Sequence, residues 1–249
     1  MNDSDSVNDG AVSGSIEPAS APAAALPGVA GLSGVATAGA AEPIDTVVFD
    51  FGNVLVHWDF TRAFSDLDPA EVQAFLDSFD FAAFNHLQDA GRPLEDGIAA
   101  VAAETPRWAP FIRHYADHYP ATLTGLVDGA QALVEELKDA GYRVYGLSNW
   151  WKELFHYAEQ AIPALALMDG IVVSGYVGLA KPDRAIYDLL CQRFDITPAR
   201  AVFTDDRLDN CAGARTSGLH ALPFTSTPAL RQDLAALGVN VACEESPSR

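Results

Sequence analysis

The second half of the chain alternates between strand-like and helix-like segments, and this alternation constrains the fold more than any other feature of the sequence. The predicted strands after residue 128 cover residues 143–147, 170–173, 201–204 and 220–224, and the predicted helices cover residues 129–140, 152–161, 183–194, 209–217 and 228–236. Regular alternation of this kind is typical of a parallel sheet with helices on both faces. We therefore predict an α/β fold with a doubly wound parallel sheet.

A further apolar run, Thr46 to Phe49, ends abruptly at Asp50 and is followed by Gly52 and Asn53. An apolar run without alternation is typical of a central parallel strand, because such a strand is covered on both faces. Ligands of open α/β sheets bind outside the carboxyl ends of the strands, so Asp50 stands where function is expected. An Asp before a glycine-containing loop can also be a simple turn or cap residue. This stretch alone does not decide between the two interpretations.

The remaining segments predict how the chain is divided. Residues 60–122 contain no strand-like run but show helical spacing, which indicates an all-helical insert. Residues 1–43 are mostly small residues with scattered proline and no Lys or Arg, a composition that predicts a disordered tail. The predicted α/β core then covers residues 44–59 and 123–240, and residues 241–249 form a C-terminal tail.

The charge and cysteine content limit the partners and the compartment. The 34 acidic and 15 basic residues give a formal net charge of −19, which disfavours nucleic acid and anionic membranes because both bind Lys/Arg surfaces. No apolar stretch reaches the length of a membrane span, and the acidic amino terminus is unlike a signal peptide. Cys191, Cys211 and Cys243 show no metal-binding or redox spacing. We therefore expect reduced thiols and a cytoplasmic protein.

Polar residues of complementary chemistry stand at the ends of the predicted elements. They occupy four places along the chain: Asp50, Ser148-Asn149, Lys181 and Asp205-Asp206. Taken singly, each has a common structural explanation as a helix cap, a solvated helix start or a surface pair. Taken together, they supply the parts of phosphoryl transfer through a carboxylate nucleophile.

The aspartates of this set have distinct predicted roles. Asp50 attacks phosphorus and forms an aspartyl phosphate, which water then hydrolyses. Asp50, Asp206 and Asp205 offer hard oxygen ligands for Mg²⁺, and the backbone carbonyl of Gly52 is available to complete the protein's share. The predicted cofactor is therefore Mg²⁺, and the predicted partner is a small phosphorylated molecule.

The other side chains of the set would contact the phosphoryl group or the rest of the substrate. Lys181 adds a positive charge near the nucleophile, and Ser148 and Asn149 donate hydrogen bonds to the phosphoryl oxygens. Trp150 and Trp151 follow directly and could form an apolar wall that excludes water. Packing at a helix start explains the two indoles equally well.

From Ile44 to about Gly238 the chain resembles the haloacid dehalogenase-like hydrolase superfamily. The matching segments are Phe49-Asp50-Phe51-Gly52-Asn53-Val54-Leu55, Leu147-Ser148-Asn149, Leu179-Ala180-Lys181-Pro182 with Ile186-Tyr187, and Phe203-Thr204-Asp205-Asp206 with Asn210. The resemblance implies a Rossmann-like core and identifies the insert at 60–122 with the family's helical cap domain, which closes over the site and selects the substrate. The chain is most similar to the alpha-D-glucose-1-phosphate phosphatases, whose first motif also reads Asp-x-Gly-Asn-Val. A sugar 1-phosphate is the substrate that this subgroup implies.

The chain departs from the family pattern at Gly52. Most phosphatases of the superfamily carry a second Asp there, which protonates the leaving group and later activates water. Haloacid dehalogenases also lack it, because a halide leaves without a proton, but they work without metal and lack an acidic pair such as Asp205-Asp206. We expect a Mg²⁺-dependent phosphatase, with a 2-haloacid dehalogenase and a catalytically weak binding protein of the same fold as the alternatives.

A missing acid has a consequence for the choice of substrate. Without a proton donor, the rate should depend on how well the departing oxygen carries negative charge. Sugar 1-phosphates and phenyl phosphates should then be better substrates than esters of simple alcohols. His57 and Asp59 lie just beyond the nucleophile loop, and either could replace the acid if the loop folds back.

Overall fold

The computed structural model describes residues 42–242, and a parallel sheet lies at its centre. The strands in chain order are β1 (Thr46–Phe49), β2 (Val56–Trp58), β3 (Leu123–Leu126), β4 (Arg143–Ser148), β5 (Gly170–Val173), β6 (Ala201–Asp205) and β7 (His220–Pro223). Five of them form the sheet in the order β5-β4-β1-β6-β7, and every neighbouring pair is parallel. The predicted doubly wound parallel sheet is confirmed. Because the chain builds outward from β1 first on one side and then on the other, the ligand crevice is expected at the carboxyl end of β1.

The helices divide into a group inside the insert and a group that flanks the sheet. The insert contains α1 (Pro69–Ser78), α2 (Phe81–Asp89), α3 (Leu94–Glu104) and α4 (Ala109–Asp117). The later helices are α5 (Ala130–Asp139), α6 (Phe155–Ala161), α7 (Ser174–Val177), α8 (Arg184–Phe194), α9 (Leu208–Thr216) and α10 (Thr227–Ala236). Short 3₁₀ turns cover Phe60–Phe64, Tyr119–Thr122, Pro163–Leu167 and Pro198–Arg200.

Strand β1 is buried on both faces, which explains its apolar run without alternation. Val47 and Phe49 belong to one hydrophobic cluster, and Val48 between them belongs to a second cluster that includes Ile186 and Phe203. Successive side chains of a strand point to opposite faces, so the two clusters cover the two sides of the sheet. This burial holds the end of β1, and therefore Asp50, in a fixed position.

The helical insert is held together by an aromatic centre around Phe75, which is fully buried. Its ring centroid lies 5.1 Å from that of Phe111 and 5.5 Å from those of Phe64 and Trp108. Each ring of this size removes roughly 150–250 Å² from water. The same hydrophobic cluster includes Val47 and Phe49 of β1, so the insert and this face of the sheet share one core.

A two-stranded antiparallel ribbon of β2 and β3 connects the core to the insert, and the sequence did not indicate it. Its strands are three and four residues long, which is too short to show a period, and their pairing joins segments far apart in the chain. Helix α6 also begins later than predicted, at Phe155 instead of Lys152, because Trp150 and Trp151 enter the core before it.

Some predictions concern residues outside the described range. The predicted disordered tail falls almost wholly on residues 1–41, and Cys243 and residues 244–249 are also outside 42–242. Cys191 and Cys211 are free thiols. None of the helices between residues 42 and 242 combines the length and hydropathy that a bilayer crossing requires.

Candidate active site

The carboxyl end of β1 brings Asp50 next to a buried lysine. The Nζ atom of Lys181 lies 2.8 Å from Oδ1 of Asp50, and the hydroxyl of Ser148 at the end of β4 donates to the same oxygen over 3.0 Å. The backbone N–H of Asp50 donates to the carbonyl of Thr204 on β6 over 3.0 Å, which ties the strand end in place. Three segments that are distant in sequence therefore meet at one carboxylate.

Lys181 is almost completely buried, with 2% of its surface exposed. Its ammonium group also donates to Oδ2 of Asp205 over 2.6 Å and to the carbonyl of Leu147 over 3.0 Å. Burial lowers the pKa of Lys181, but the neighbouring carboxylates outweigh this effect and the net pKa lies above its ordinary value. Burial also raises the pKa of Asp50, although Lys181 opposes the change. The lysine is therefore a fixed positive charge beside the nucleophile candidate.

Asp205 is fully buried, and its two oxygens are occupied by donors. The side-chain amide of Asn210 lies 2.9 and 3.0 Å from them, and the backbone N–H of Arg207 donates to Oδ1 over 2.9 Å. Together with Lys181, these donors use most of the lone pairs of the carboxylate. In this arrangement Asp205 holds the lysine in place.

Asp206, by contrast, is exposed and lines a cavity, and one side chain from the nucleophile loop contacts it. Nδ2 of Asn53 lies 3.3 Å from its Oδ2, while Oδ1 of Asn53 accepts from the backbone N–H of Trp58 over 3.1 Å. Asn53 adopts a left-handed backbone conformation with φ of 57°, which Asn tolerates better than most residues. The loop is thus shaped to place an amide beside Asp206.

Three carboxylates meet at this edge of the sheet as a candidate cation site. One oxygen each from Asp50, Asp205 and Asp206 lies within 4.8 Å of the other two. Carboxylate oxygens are the ligands that Mg²⁺ prefers, and Gly52, which lines the same cavity, offers its backbone carbonyl. The donor set therefore fits a hard divalent cation, with Asp206 better able than Asp205 to turn an oxygen toward it.

Asn149 lines the cavity beside Ser148, and its side-chain amide also binds the backbone of Lys181. Its Nδ2 donates to the backbone carbonyl of Lys181 over 2.9 Å, and its Oδ1 accepts from the backbone N–H of Lys181 over 2.9 Å. These two hydrogen bonds position the lysine, and the second N–H of the amide is left for the predicted role as a phosphoryl donor. Ser148 keeps its place beside Asp50, and Trp150 lines the cavity with an indole N–H that has no partner among residues 42–242.

A cavity of about 590 Å³ opens over Asp50 between the sheet edge and the insert. Aromatic rings line much of it: Trp58, Phe60, Phe81, Tyr115, Tyr119, Trp150 and Trp151. Helix α2 contributes several residues to its wall, and two more come from the region of α4 and the turn after it. The insert therefore supplies a large part of the wall that a substrate would touch.

A model of the haloacid dehalogenase-like hydrolases matches residues 44–218. The chain belongs to the haloacid dehalogenase-like hydrolases. Two curated relatives of this hydrolase are phosphatases by name. Phosphatase MT3486 of Mycobacterium tuberculosis is 28% identical, over 78% of this chain and 95% of its own length. Sesquiterpene phosphatase astK of Aspergillus oryzae is 32% identical over 43% of this chain, and the match spans only about half of its length, 54%.

Solved structures share the fold of this haloacid dehalogenase-like hydrolase at low sequence identity. The HAD family enzyme bt-2542 of Bacteroides thetaiotaomicron, in complex with magnesium and inorganic phosphate, has a TM-score of 0.62 and 19% identity, over 74% of this chain and 96% of its own. The L-2-haloacid dehalogenase of Xanthobacter autotrophicus, with chloropropionic acid covalently bound, has a TM-score of 0.55 and 18% identity, over 80% and 85%. The common fold accommodates two chemistries, so the choice between them depends on the site.

In this haloacid dehalogenase-like hydrolase, neither residue suggested as a substitute for the missing acid reaches the cavity. His57 is exposed on β2, and it is absent from the cavity wall. Asp59 accepts hydrogen bonds from the hydroxyl and the N–H of Thr61, and the hydroxyl in particular holds the pKa of Asp59 below its ordinary value. Asp59 is the ionised N-cap residue of the 3₁₀ turn Phe60–Phe64 and lies outside the cavity wall, so it cannot protonate a leaving group in the cavity.

The structure adds residues to the site that the sequence reasoning missed. Asp89 and Asn85 on α2 and Asn53 in the nucleophile loop all line the cavity. Nothing in the sequence marks Asp89, because an aspartate near the end of a helix is common and only the packing of the insert carries it to the site. Asn53 carried a usable signal, since Asn after Gly indicates a loop conformation with positive φ.

Proposed function

We propose that this hydrolase is a Mg²⁺-dependent phosphatase that cleaves small organic phosphate monoesters through an aspartyl phosphate on Asp50. The observation that carries the proposal is the contact between Asp50 and Lys181 at the edge of a three-carboxylate cluster. A lone carboxylate nucleophile would repel a phosphate dianion. A buried ammonium and a cation site beside it remove that repulsion.

Each side chain of the site has a distinct role in the proposed phosphoryl transfer. Asp50 attacks phosphorus, and Lys181 neutralises charge on the transferring group while holding the nucleophile in position. Ser148 lies within hydrogen-bond reach of the same oxygen and can turn its hydroxyl toward a phosphoryl oxygen. Asp50, Asp206 and the Gly52 carbonyl would hold Mg²⁺, which when bound supplies positive charge to the phosphoryl oxygens. Asp205 accepts a hydrogen bond from Lys181 and so holds the ammonium group beside Asp50.

The chemistry of the cavity wall bears on the organic part of the substrate. Stacked and edge-on aromatic rings offer flat apolar surface, which suits a prenyl chain, an aromatic group or the apolar face of a sugar ring. The resemblance of the first motif to that of glucose 1-phosphate phosphatases supports a sugar 1-phosphate, whereas the similarity of the chain to a sesquiterpene phosphatase supports an apolar ester. Both classes belong in the first substrate panel.

A 2-haloacid dehalogenase is the second candidate, because Gly52 leaves the nucleophile loop without the acid of most phosphatases. The acidic cluster argues against it. A dehalogenase substrate is itself a carboxylate, and Asp205 and Asp206 beside Asp50 would repel it unless a cation were bound.

The two candidates separate in one experiment on the full chain. The purified protein is assayed with and without Mg²⁺ on 4-nitrophenyl phosphate, glucose 1-phosphate, glucose 6-phosphate, a prenyl monophosphate and 2-chloropropionate. We expect phosphate release that chelation abolishes and added Mg²⁺ restores, and Asp50→Asn should lower it by ~10⁴-fold or more because the nucleophile is lost. Asp139→Asn, an exposed aspartate of α5, is the matched control and should keep full activity.

Release of halide from 2-chloropropionate without added metal would refute the phosphatase proposal and show that the protein is a dehalogenase. Binding of phosphate esters without turnover of any of them would favour a catalytically weak binding protein. Retention of wild-type activity by Asp50→Asn would remove Asp50 as the nucleophile.

A further inference from the structure

A carboxyl group of the insert lies on the cavity wall and has no assigned role. Asp89 is the last residue of α2, only 6% of its surface is exposed, and it lines the same cavity as Asp50 and Lys181. It makes no ion pair within the described part of the chain. A buried carboxyl without a cationic contact has a free energy cost that ordinary packing does not require.

The hydrogen bonds around Asp89 fix which of its oxygens can carry a proton. Nδ2 of Asn85 donates to Oδ2 of Asp89 over 2.7 Å, and Oδ1 of Asn85 accepts from the indole N–H of Trp151 over 2.9 Å. Because an indole N–H can only donate, the amide of Asn85 has one possible orientation. Oδ2 of Asp89 is therefore an acceptor, and a proton belongs on Oδ1, for which residues 42–242 provide no hydrogen-bond partner.

The surroundings of Asp89 keep that proton on the carboxyl group at neutral pH. Burial raises the pKa of Asp89 to about 8, against the opposing charges of Lys181 and Arg207, and the charge of Asp50 raises it further. Tyr115 and Tyr119 also face it, and their pKa values are raised by burial, so both remain neutral. Asp89 thus combines a neutral carboxylic acid with a position on the cavity wall.

The nucleophile loop contains no competing acid. Gly52 stands two residues after Asp50, at the position where most phosphatases of the superfamily have an aspartate. A Cβ added to Gly52 would meet no atom within 4 Å. The loop therefore leaves space at the position of the usual acid, within the cavity that Asp89 also lines.

We infer that Asp89 is the general acid of this phosphatase, supplied by the insert in place of an acid in the nucleophile loop. The inference rests on the proposed phosphatase function. In the first half-reaction an Asp50 oxygen bonds to phosphorus, the bond from phosphorus to the leaving oxygen breaks, and the Asp89 proton passes to that oxygen to give a neutral alcohol. In the second half-reaction a water oxygen bonds to phosphorus, Asp89 accepts a proton from that water, and Asp50 is released with inorganic phosphate.

The test is a leaving-group series measured for wild type, Asp89→Asn and Asp96→Asn, all in Mg²⁺. A general acid matters most when the departing oxygen is a poor leaving group. Asp89→Asn should therefore lower kcat/KM by ~10²–10⁴-fold for a simple alkyl phosphate and by less than about ten-fold for 4-nitrophenyl phosphate. Asp96→Asn removes an exposed carboxylate from the same insert and should leave both rates unchanged.

Turnover of 4-nitrophenyl phosphate by Asp89→Asn also reports that the variant is folded. Equal losses on both esters, in a variant that remains folded at the assay temperature, would overturn the role of Asp89 while leaving the phosphatase intact. Absence of any phosphate release by the wild-type protein would instead refute the proposed function itself.

Discussion

At the scale of single residues, Gly52 and Asp89 concern the same function, the donation of a proton to the leaving group. Most phosphatases of the superfamily have the proton donor in the nucleophile loop, whereas here the insert supplies it. Gly52 does not have a left-handed φ, and its surroundings leave room for a side chain. Gly52→Asp in the Asp89→Asn background should therefore recover at least about ten-fold of the lost kcat/KM for an alkyl phosphate. In the wild-type background the same substitution should change the rate far less, because Asp89 already donates the proton.

Gly52→Asn is the matched control for this rescue, because it fills the same space without providing an acid. It should recover nothing in the Asp89→Asn background. Equal rates for the two double variants, one with Gly52→Asp and the other with Gly52→Asn, would show that a side chain filling this space, and not a proton from it, governs turnover.

At the scale of elements, the end of α2 is fixed to the core by a close approach of backbones. Gly91, just beyond the helix, has φ of 94°, and a Cβ there would lie 3.2 Å from the carbonyl oxygen of Gly175 and 3.3 Å from Cα of Gly178. Gly91→Ala should push α2 away from α7 and move Asp89. We expect alkyl phosphate turnover to fall by about ten-fold or more, as small displacements of catalytic groups commonly cause.

Gly141→Ala is the control for backbone strain. Gly141 has φ of 85°, but an added Cβ would meet nothing within 4 Å. Both variants should lose roughly 1 kcal/mol of stability from the left-handed conformation, measured by denaturant unfolding. Only Gly91→Ala should lose activity, and equal activity in the two variants would mean that the docking of α2 does not position the acid.

The sequence predicted the long elements and the strand-end residues well, for physical reasons. Strands such as β1, β4 and β6 are buried on both faces, so their apolar runs are visible without a partner, and Asp50, Ser148 and Asp205 mark their carboxyl ends. Lys181 lies between α7 and α8 and was predicted from its place before a helix. The β2–β3 ribbon and Asp89 depend on contacts between distant segments, which no local pattern encodes. The use of the Asn149 amide by the Lys181 backbone is likewise a tertiary contact.

At the scale of the whole molecule, the buried acid should make stability depend on pH. Asp89 ionises near 3.8 in the unfolded chain and at about 8 in the folded protein. Between these values the folded state holds a proton that the unfolded state has lost. The free energy of unfolding of the metal-free protein should therefore fall as pH rises through this interval, with a contribution from Asp89 of up to ~1.4 kcal/mol per pH unit.

Burial also raises the pKa of Asp50, to about 7, so Asp50 acts in the same direction as Asp89. Aspartates with a lowered pKa act in the opposite direction at lower pH. Burial would raise the pKa of Asp169, but hydrogen bonds from Lys138 and the N–H of Val144 outweigh it and lower the pKa, so its contribution is lost only in acid. Thermal melts across pH 4 to 8 should show a shallower decline for Asp89→Asn than for wild type, with Asp96→Asn following wild type. Parallel curves for all three proteins would show that Asp89 titrates alike in the folded and unfolded states.

Helix α2 carries both Asp89 and the wall residues Phe81, Ala82 and Asn85 within nine residues. Selection that reshapes this helix for a new substrate therefore acts on the proton donor at the same time. Substrate preference and the ability to expel a poor leaving group are inherited together in this chain, whereas an acid in the nucleophile loop would let them diverge independently. Grafting α2 alone between relatives that carry Gly at the loop position should transfer the two properties as one trait.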